Sequence, residues 1–447
     1  MDNSLFINIA SYRDHEVWRT LESLLTRAHN SCRLHIAICW QDDNDLDTIR
    51  QAGWTPILVS TLAGYPVYRL EGSRALIEVI ALPYSQAQGV GFARALCDQC
   101  YRNEQWYLQI DAHSLFTADW DQRLIHASLA LQPQSAKPLI SSYPPSYHYS
   151  EQGSIIYSEQ SNRVTFNRFT PEGLPTLANQ VFTASHPIRG SFIAAGFIFT
   201  LGAFVREVGN DPAIFFEGEE ITLSLRAFTW GYDVFHLAEI VLWHHYTRQG
   251  APRIWDDQNS AALVAGEIEQ TWEQKELRSQ RRVKALLGLT SDNDPLPHQK
   301  MLGRVRSRRQ FEYQSGLNFK LASCYAECLP PHSLTHFAPP VDDIAWLNAH
   351  HQCYTKHLDL SMLLNAPRSP FLADQLFIHL YTGNGLRLMQ RQISPRKLTE
   401  TRLEVTGWST PNRPPTLIRI AAWWDRGGWG AVVEWPWSEK SGPYCLL

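Results

Sequence analysis

Residues 5–10 form a short apolar run that gives way to Ser11-Tyr12-Arg13-Asp14, and apolar positions then recur at helical spacing over about residues 15–28. Residues 34–40 are a second strand-like run, so the chain opens as β–α–β. A third apolar run covers residues 77–82, a helical period covers 88–101, and a fourth run, 106–110, stops at Asp111-Ala112-His113. Strands alternating with helices predict an α/β fold with a mostly parallel central sheet, which binds ligands beyond the carboxyl ends of its strands. Ser11-Tyr12-Arg13-Asp14 and Asp111-Ala112-His113 both fall at such ends.

Residues 120–131 are helical in pattern, whereas 141–187 are polar and rich in Tyr, Pro, Ser and Gly. That stretch predicts a long excursion with little regular structure, of the kind that forms binding loops or lids. An apolar segment over 191–200 contains Ala194-Ala195-Gly196, and Glu217-Gly218-Glu219-Glu220 leads into a helix ending near Gly231. Short strands at 234–237 and 240–243 follow, the second ending at His244-His245, and then a long polar helix over about 257–287. Ser291 to His298 has linker composition. The basic patch Arg304, Arg306, Arg308 and Arg309 is either a solvated surface or a loop that grips a diphosphate or an acceptor. Residues 402–437 alternate around Asn412-Arg413-Pro414-Pro415 and Asp425-Arg426-Gly427-Gly428, predicting β-hairpins in a small β-rich domain. Its tryptophans, 423, 424, 429, 435 and 437, either fill a small core or form a carbohydrate platform. The expected division is 1–290 for the α/β domain, 291–340 for a linker and basic loop region, and 341–447 for the β-rich domain.

Composition narrows the classes. With 40 Lys+Arg against 44 Asp+Glu, the net charge of −4 gives no global field for nucleic acid or an anionic membrane. No run of about 18 apolar residues could span a bilayer. The first ten residues lack the basic start and long apolar stretch of a signal peptide. Eight cysteines scattered through a chain of 447 residues read as reduced thiols, so a cytoplasmic location is expected. Cys324, Cys328, His351 and Cys353 have the ligand types of a zinc site, but their spacing matches no strong pattern, and buried thiols are the ordinary alternative.

Asp111 and His113 lie at i and i+2 after an apolar strand, so one carboxylate and one imidazole can share a cation; a mixed O/N set suits Mn²⁺ and its neighbours. His244 or His245, at another strand end, could add a third ligand or be a structural histidine. Glu217, Glu219 and Glu220 suit a helix N-terminus, yet three carboxylates exceed what capping needs, and one could act as acid or base. Arg13 and Arg94 could pair with a diphosphate or form ordinary salt bridges.

In order along the chain stand Ile9-Ala-Ser-Tyr-Arg-Asp14, Ala37-Ile-Cys-Trp-Gln41, Gly91-Phe-Ala-Arg94, Tyr107-Leu-Gln-Ile-Asp-Ala-His113 with Trp120-Asp121, Ala194-Ala-Gly-Phe197, Phe216-Glu-Gly-Glu-Glu220, Thr229-Trp-Gly-Tyr-Asp233 and His244-His-Tyr-Thr-Arg248. Together they resemble the cytoplasmic N-acetylglucosaminyltransferase family whose members modify hydroxyproline on a ubiquitin-ligase adaptor protein. The resemblance covers about residues 5–250. The D-x-H triplet and the Gly-Glu-Glu segment also resemble those of polypeptide N-acetylgalactosaminyltransferases, which share the GT-A nucleotide-sugar fold.

What the resemblance implies is a metal-dependent, retaining transferase that moves N-acetylglucosamine from UDP-GlcNAc to a hydroxyl of a protein or glycan. Asp111 and His113 would hold Mn²⁺ or Mg²⁺, with His244 the third ligand and His245 a weaker candidate. Ala10, Ser11, Tyr12 and Arg13 would line the uridine pocket, Arg94 and Gln109 would face the nucleotide-sugar, and Glu219 with Glu220 would face donor sugar and acceptor. The competing readings are a transferase with another UDP-sugar, a glycosidase built on paired carboxylates, and a catalytically silent sugar- or protein-binding module on the same scaffold.

Overall fold

The alternation of Leu5, Ile7 and Ile9 with Phe6 and Ala10 puts apolar side chains on both faces of one strand, a pattern that only a sheet covered on both sides can bury. In the computed structural model, which describes residues 3–43, 45–247, 250–290, 302–359, 373–395, 402–437 and 444–446, this strand lies mid-sheet. Arg248 and the linker motif 291–298 lie outside the described residues.

In chain order the first half comprises β1 (Leu5–Tyr12), α1 (Glu16–Arg27), β2 (Leu34–Asp42), α2 (Leu46–Gln51), β3 (Thr55–Leu62), β4 (Tyr65–Glu71), β5 (Leu76–Pro83), α3 (Val90–Asp98), β6 (Trp106–Asp111), β7 (Ser114–Phe116), α4 (Trp120–Leu131) and β8 (Pro138–Ser141). Then come β9 (Tyr147–Tyr149), β10 (Ile155–Tyr157), β11 (Asn162–Phe169), β12 (Pro175–Val181), β13 (Ile188–Gly190), β14 (Phe197–Leu201), α5 (Phe204–Glu207), α6 (Glu219–Thr229), β15 (Asp233–His236) and β16 (Leu242–His244), followed by α7 (Ile254–Asp257), α8 (Ser260–Val264), α9 (Trp272–Leu287) and α10 (Arg308–Ser315). The main sheet runs β13-β15-β8-β14-β6-β1-β2-β5-β4-β3. β5, β2, β1 and β6 are parallel neighbours, and β4, β14 and β13 run against the other seven strands. The predicted α/β class with a mostly parallel sheet is therefore the observed one. Val17, Trp18, Leu21 and Leu24 of α1 cover one face, and Ala93, Leu96 and Cys97 of α3 the other. The carboxyl ends of β1, β2 and β6 consequently open at one edge.

Three local expectations need correction. The stretch 141–187 is not irregular: it holds two antiparallel hairpins, β9–β10 and β11–β12. β9 and β10 are three residues each, and β11 and β12 mix polar with apolar residues out of strict alternation, so the hydrophobic period that marks buried strands is absent. The single polar helix over 257–287 is three helices; Asn259 accepts N–H bonds from Ala261 and Ala262, and Thr271 with Gln274 forms a capping box that starts α9 afresh. Within the basic patch, Ser307 caps α10, Arg308 reaches the Leu286 carbonyl, and Arg306 pairs with Asp233 at 2.8 Å. These arginines secure the α/β unit.

The chain divides into two units, one of residues 1–319 with 327–339 and one of 320–326 with 340–447. The second is β-rich as the pattern predicts, with Leu376, Ile378, Leu380, Ile418, Ile420, Val433 and Trp435 in its core. Asp425-Arg426-Gly427-Gly428 turns a true hairpin, Trp424 opposite Gly428. Asn412-Arg413-Pro414-Pro415 does not: Arg402–Ser409 pairs with His350–Asp359, while Pro415–Trp424 pairs with Gln375–Thr382. Trp435 fills core, whereas Trp429 is 58% exposed and packs edge-on against Trp423 at 5.1 Å. Among the described residues no helix is long and apolar enough to cross a membrane.

Candidate active site

Strand β6 ends at Asp111, and the bend through Ala112 and His113 is pinned by α1, where the Thr20 hydroxyl donates to the Ala112 carbonyl and accepts from the Ser114 N–H, both at 2.8 Å. β16 pairs antiparallel with β7, setting His244 opposite Ser114, and the His245 N–H donates to the His113 carbonyl at 3.0 Å. Two segments about 130 residues apart thus meet at one point.

There Asp111, His113 and His244 bring one ligand atom each within 4.8 Å of one another. His113 donates from Nδ1 to the Asp14 carboxylate at 2.7 Å, which leaves the Nε2 lone pair directed at His244 Nε2, 3.0 Å away. His244 Nε2 is in turn 3.1 Å from Asp111 Oδ2. Without a cation, one proton between two imidazoles and a carboxylate would have to satisfy three lone-pair donors. A divalent ion satisfies all three, and the O,N,N set with a carboxylate fixing the histidine from behind fits Mn²⁺ and its neighbours. Only glycine is tolerated at 196, since a Cβ there would sit 2.6 Å from Asp111 Oδ2.

Behind the ligands lies a charged ladder. Buried Arg94 donates to Asp111 at 2.6 Å and to Glu219 at 2.5 Å. Burial would raise the Asp111 carboxyl, but the His244 hydrogen bond and the Arg94 charge outweigh it and hold it well below the usual carboxylate range. Glu219 is raised by burial in spite of Arg94. Burial also raises Glu220 to about 7, against hydrogen bonds from the Tyr143 hydroxyl and, at 3.0 Å, the Ala195 N–H.

The ligands form one side of a cleft of about 400 Å³, within the usual range for small-ligand sites. Ala10, Tyr12 and Gln41 line it from β1 and β2, Gly89 and Val90 from the start of α3, and Phe216, Arg253 and Trp255 form a rim. Phe216 and Trp255 meet edge to face at 5.8 Å. Gly89 has φ +104°, and a Cβ would collide with the Phe215 backbone, so this wall depends on glycine.

The predicted residues distribute unevenly. Ala10, Tyr12, Asp111, His113, His244 and His245 line the cleft. His245 stays outside the ligand cluster: its Nδ1 faces Glu16 at 2.8 Å and its ring stacks on Tyr147. Ser11 is fully buried. Arg13 pairs with Asp257 at 2.7 Å and lies over the Tyr84 ring, and the Tyr12 hydroxyl bonds the same Asp257 at 2.8 Å. Gln109 is fully buried, donating to the Ala195 carbonyl and accepting from the Tyr107 hydroxyl; it braces β6 against the Ala194-Ala195-Gly196 segment and is not on the cleft wall. Glu217 bonds Gln280 of α9. Cys324 and Cys328 are buried, the latter donating to Ser315 and Gly316 carbonyls, and among the described residues only the Asp111 group clusters ligand atoms in threes.

Sequence reasoning missed Asp14, Tyr143, Tyr246 and Trp255. The first and third sit inside the quoted motifs, so their signal was available; the other two gain a role only through folding.

A cleft beyond the carboxyl ends of parallel strands, with three oxygen and nitrogen side chains on its wall that could hold a metal ion, is the feature that the α/β fold presents. The chain belongs to the Glycosyltransferase (GlcNAc) family, whose model matches residues 4–56 and 60–325. That match runs to residue 325, past Arg248, where the quoted motifs end. Similar solved structures include GalNAc-T7 with UDP, GalNAc and Mn²⁺ (14% identity, 69% of this chain and 54% of that chain, TM-score 0.42). Others are S. aureus TarS 1–349 in complex with UDP-GlcNAc (12%, 66% and 78%, 0.33) and the mannosyltransferase PcManGT from Pyrobaculum calidifontis in complex with GDP-Man and Mn²⁺ (7%, 65% and 76%, 0.35). This chain thus spans 54% of the GalNAc-T7 chain. No curated protein matches it.

Proposed function

We propose that the chain is a metal-dependent, retaining glycosyltransferase that moves N-acetylglucosamine from UDP-GlcNAc to a hydroxyl of a protein or glycan. The observation that carries this is the convergence of Asp111, His113 and His244 on one point of a cleft in a chain of this family. These three would hold Mn²⁺ or Mg²⁺, with Asp14 fixing His113. Such an ion, when bound, supplies positive charge where negative charge develops on a leaving diphosphate.

The protein's own groups do the rest by position. Ala10, Tyr12 and Gln41 offer a narrow wall for the nucleoside, and Ser11 and Arg13 shape it from behind. Arg94 is a positioning residue: it holds Asp111 ionised and fixes Glu219. We assign the acid–base role to Glu220 on its raised proton affinity; its carboxylate accepts from the Tyr143 hydroxyl and the Ala195 N–H. Gln109 sets the backbone at Ala195. Seven cysteines stand as free thiols among the described residues, which supports a reducing compartment such as the cytoplasm.

The deciding experiment is UDP release from a panel of UDP-sugars by the purified chain, with Mn²⁺ or with chelator. Release that needs the metal and is fastest with UDP-GlcNAc is the expected result. A chain that binds neither UDP nor Mn²⁺ and releases none would overturn the proposal.

A further inference from the structure

Three buried polar side chains of α9, Lys275, Ser279 and Arg282, stand at i, i+4 and i+7, on the inward stripe that apolar residues ordinarily fill. Val283, Leu286 and Leu287 carry the same stripe on in apolar form. Each of the three polar residues holds a different piece of chain behind the cleft. The Lys275 ammonium donates to the Ala87 carbonyl at 2.8 Å and to Gln258 Oε1 at 2.7 Å. Ser279 Oγ accepts the Phe215 N–H at 2.9 Å, and Arg282 pairs with Asp211 at 3.0 Å. Gln258, fully buried just after α7, donates from Nε2 to the Tyr84 and Ala87 carbonyls at 3.2 and 3.0 Å. Its own carbonyl accepts the Trp272 N–H at 2.8 Å, where α9 begins.

The gripped segments run straight into the cleft wall. Gly89 and Val90 follow Ala87, Phe216 follows Phe215, and all but Ala87 line the cleft. The Val90 N–H donates to the Phe215 carbonyl at 2.9 Å and joins the two segments. A Cβ at Gly89 would strike the Phe215 carbonyl, and one at Gly91 the Asp211 carbonyl, so the start of α3 lies close against 211–215. Both acceptors of the Lys275 ammonium are neutral oxygens, and burial lowers its pKa to about 8. An apolar side chain there would be buried without that penalty. The polar stripe therefore does something that core packing does not require.

We infer that this stripe is a back-plate for the donor site, in which Lys275 and Gln258 position residues 84–90, Ser279 positions 215–216, and the spacing they set between the two segments determines donor affinity. That the bound group is a nucleotide-sugar rests on the transferase reading; the bracing of the wall does not. Gln258, Lys275 and Ser279 are absent from the cleft lining, so they are positioning residues that act through main chain.

The test compares the unaltered chain with Lys275→Met, Gln258→Glu and Ser279→Ala, by calorimetric titration with UDP and with Mn²⁺ and by kinetics of UDP release from UDP-GlcNAc. Lys275→Met keeps the stem and removes the donors, Gln258→Glu keeps the acceptor for Lys275 and removes the donor to 84 and 87, and Ser279→Ala removes one oxygen. UDP Kd and donor KM are expected to rise together, about tenfold in the first two variants and about threefold in the third, with kcat and Mn²⁺ affinity within about twofold. His35→Leu, at the amino-terminal end of β2, is the control for lost stability alone, and its donor KM is expected to match that of the unaltered chain. Ser279→Ala, the least disruptive change, decides the matter if another variant fails to fold. Donor KM and UDP Kd that stay at the unaltered values in the folded variants overturn the inference, as does a rise matched by His35→Leu. An unaltered chain that binds no UDP removes the transferase reading and the donor role of the stripe with it, whereas UDP binding that every variant keeps removes the back-plate alone.

Discussion

The main sheet carries a buried histidine–carboxylate cluster at each end, and the two are wired oppositely. At the amino-terminal end of β2, His35 faces Glu104 through Nδ1 at 2.5 Å and Glu78 through Nε2 at 2.8 Å, and Arg102 closes the cluster at 2.7 Å from Glu78. Each imidazole nitrogen there meets its own acceptor, so one added proton completes the cluster. At the carboxyl-terminal end His113 meets an acceptor on one side and another imidazole on the other, so a proton leaves it incomplete and a cation completes it. Residue types alone do not separate a cluster that a proton closes from one that could hold a metal ion; the two differ in the direction of their lone pairs.

The sharpest break of that contrast is Asp111→Asn. It keeps the side-chain volume, removes a ligand charge and uncouples Arg94, and metal-dependent UDP release is expected to fall on the order of 10³-fold, about 4 kcal/mol of lost charge stabilisation. Circular dichroism should show the fold retained, and near-normal release would sink the site assignment.

Next in size is His35→Leu, which leaves Glu104 and Glu78 buried without their imidazole. Unfolding free energy should drop by about 3–5 kcal/mol, read from denaturant melts, while Mn²⁺ affinity at the other end stays within twofold. The cluster also gives stability a pH window. Burial opposes the charge on His35, but its hydrogen bonds to Glu104 and Glu78 raise its pKa above 6.5, so its contribution is full below that value and is lost as pH rises through the folded pKa. Glu78 and Glu104 are held below 4.5, so theirs is lost as pH falls through their folded values. Thermal melts should show the wild-type advantage over His35→Leu greatest between about pH 4.5 and 6.5. An advantage that grows toward pH 9 would refute the wiring.

Asp14→Asn tests the other cluster more gently. The carboxylate touches His113 and is not itself among the clustered ligands, so Mn²⁺ affinity by calorimetry should weaken about 10–100-fold with the fold unchanged. The smallest effect is expected from Trp255→Ala at the rim, a roughly fivefold rise in donor KM with kcat nearly constant, in line with the loss of one edge-to-face aromatic contact.

Where the hydrophobic period is strong, sequence and structure agree. β1, β2, β5, α3 and β6 fall within a few residues of their predicted limits because both faces of the parallel core are buried. β3 and β4 were not anticipated; Leu58 and Val59 of β3 are 60% and 43% exposed, so an edge hairpin carries no clear alternation. The hairpins over 141–187 escaped for the same reason. Arg13 stood between a diphosphate partner and an ordinary salt bridge; the fold brings Asp257, 244 residues on, to pair with it. Gln109 lies two residues before Asp111 on the same side of β6, but the Ala195 carbonyl takes its amide N–H and leaves it fully buried.

By itself the sequence determined the α/β class, the β-rich carboxyl-terminal region, the strand ends that bear the site, and Asp111 and His113 as a pair, since these depend on local period and on residues two apart. The motif resemblance ranked His244 above His245, and tertiary structure gives the physical reason: β16 pairing with β7 turns one imidazole toward Asp111 and the other toward Glu16. It also placed Asp14 behind His113 and engaged Arg94 with two carboxylates. Those contacts join residues 17, 99 and 125 apart in the chain, and no local period encodes them.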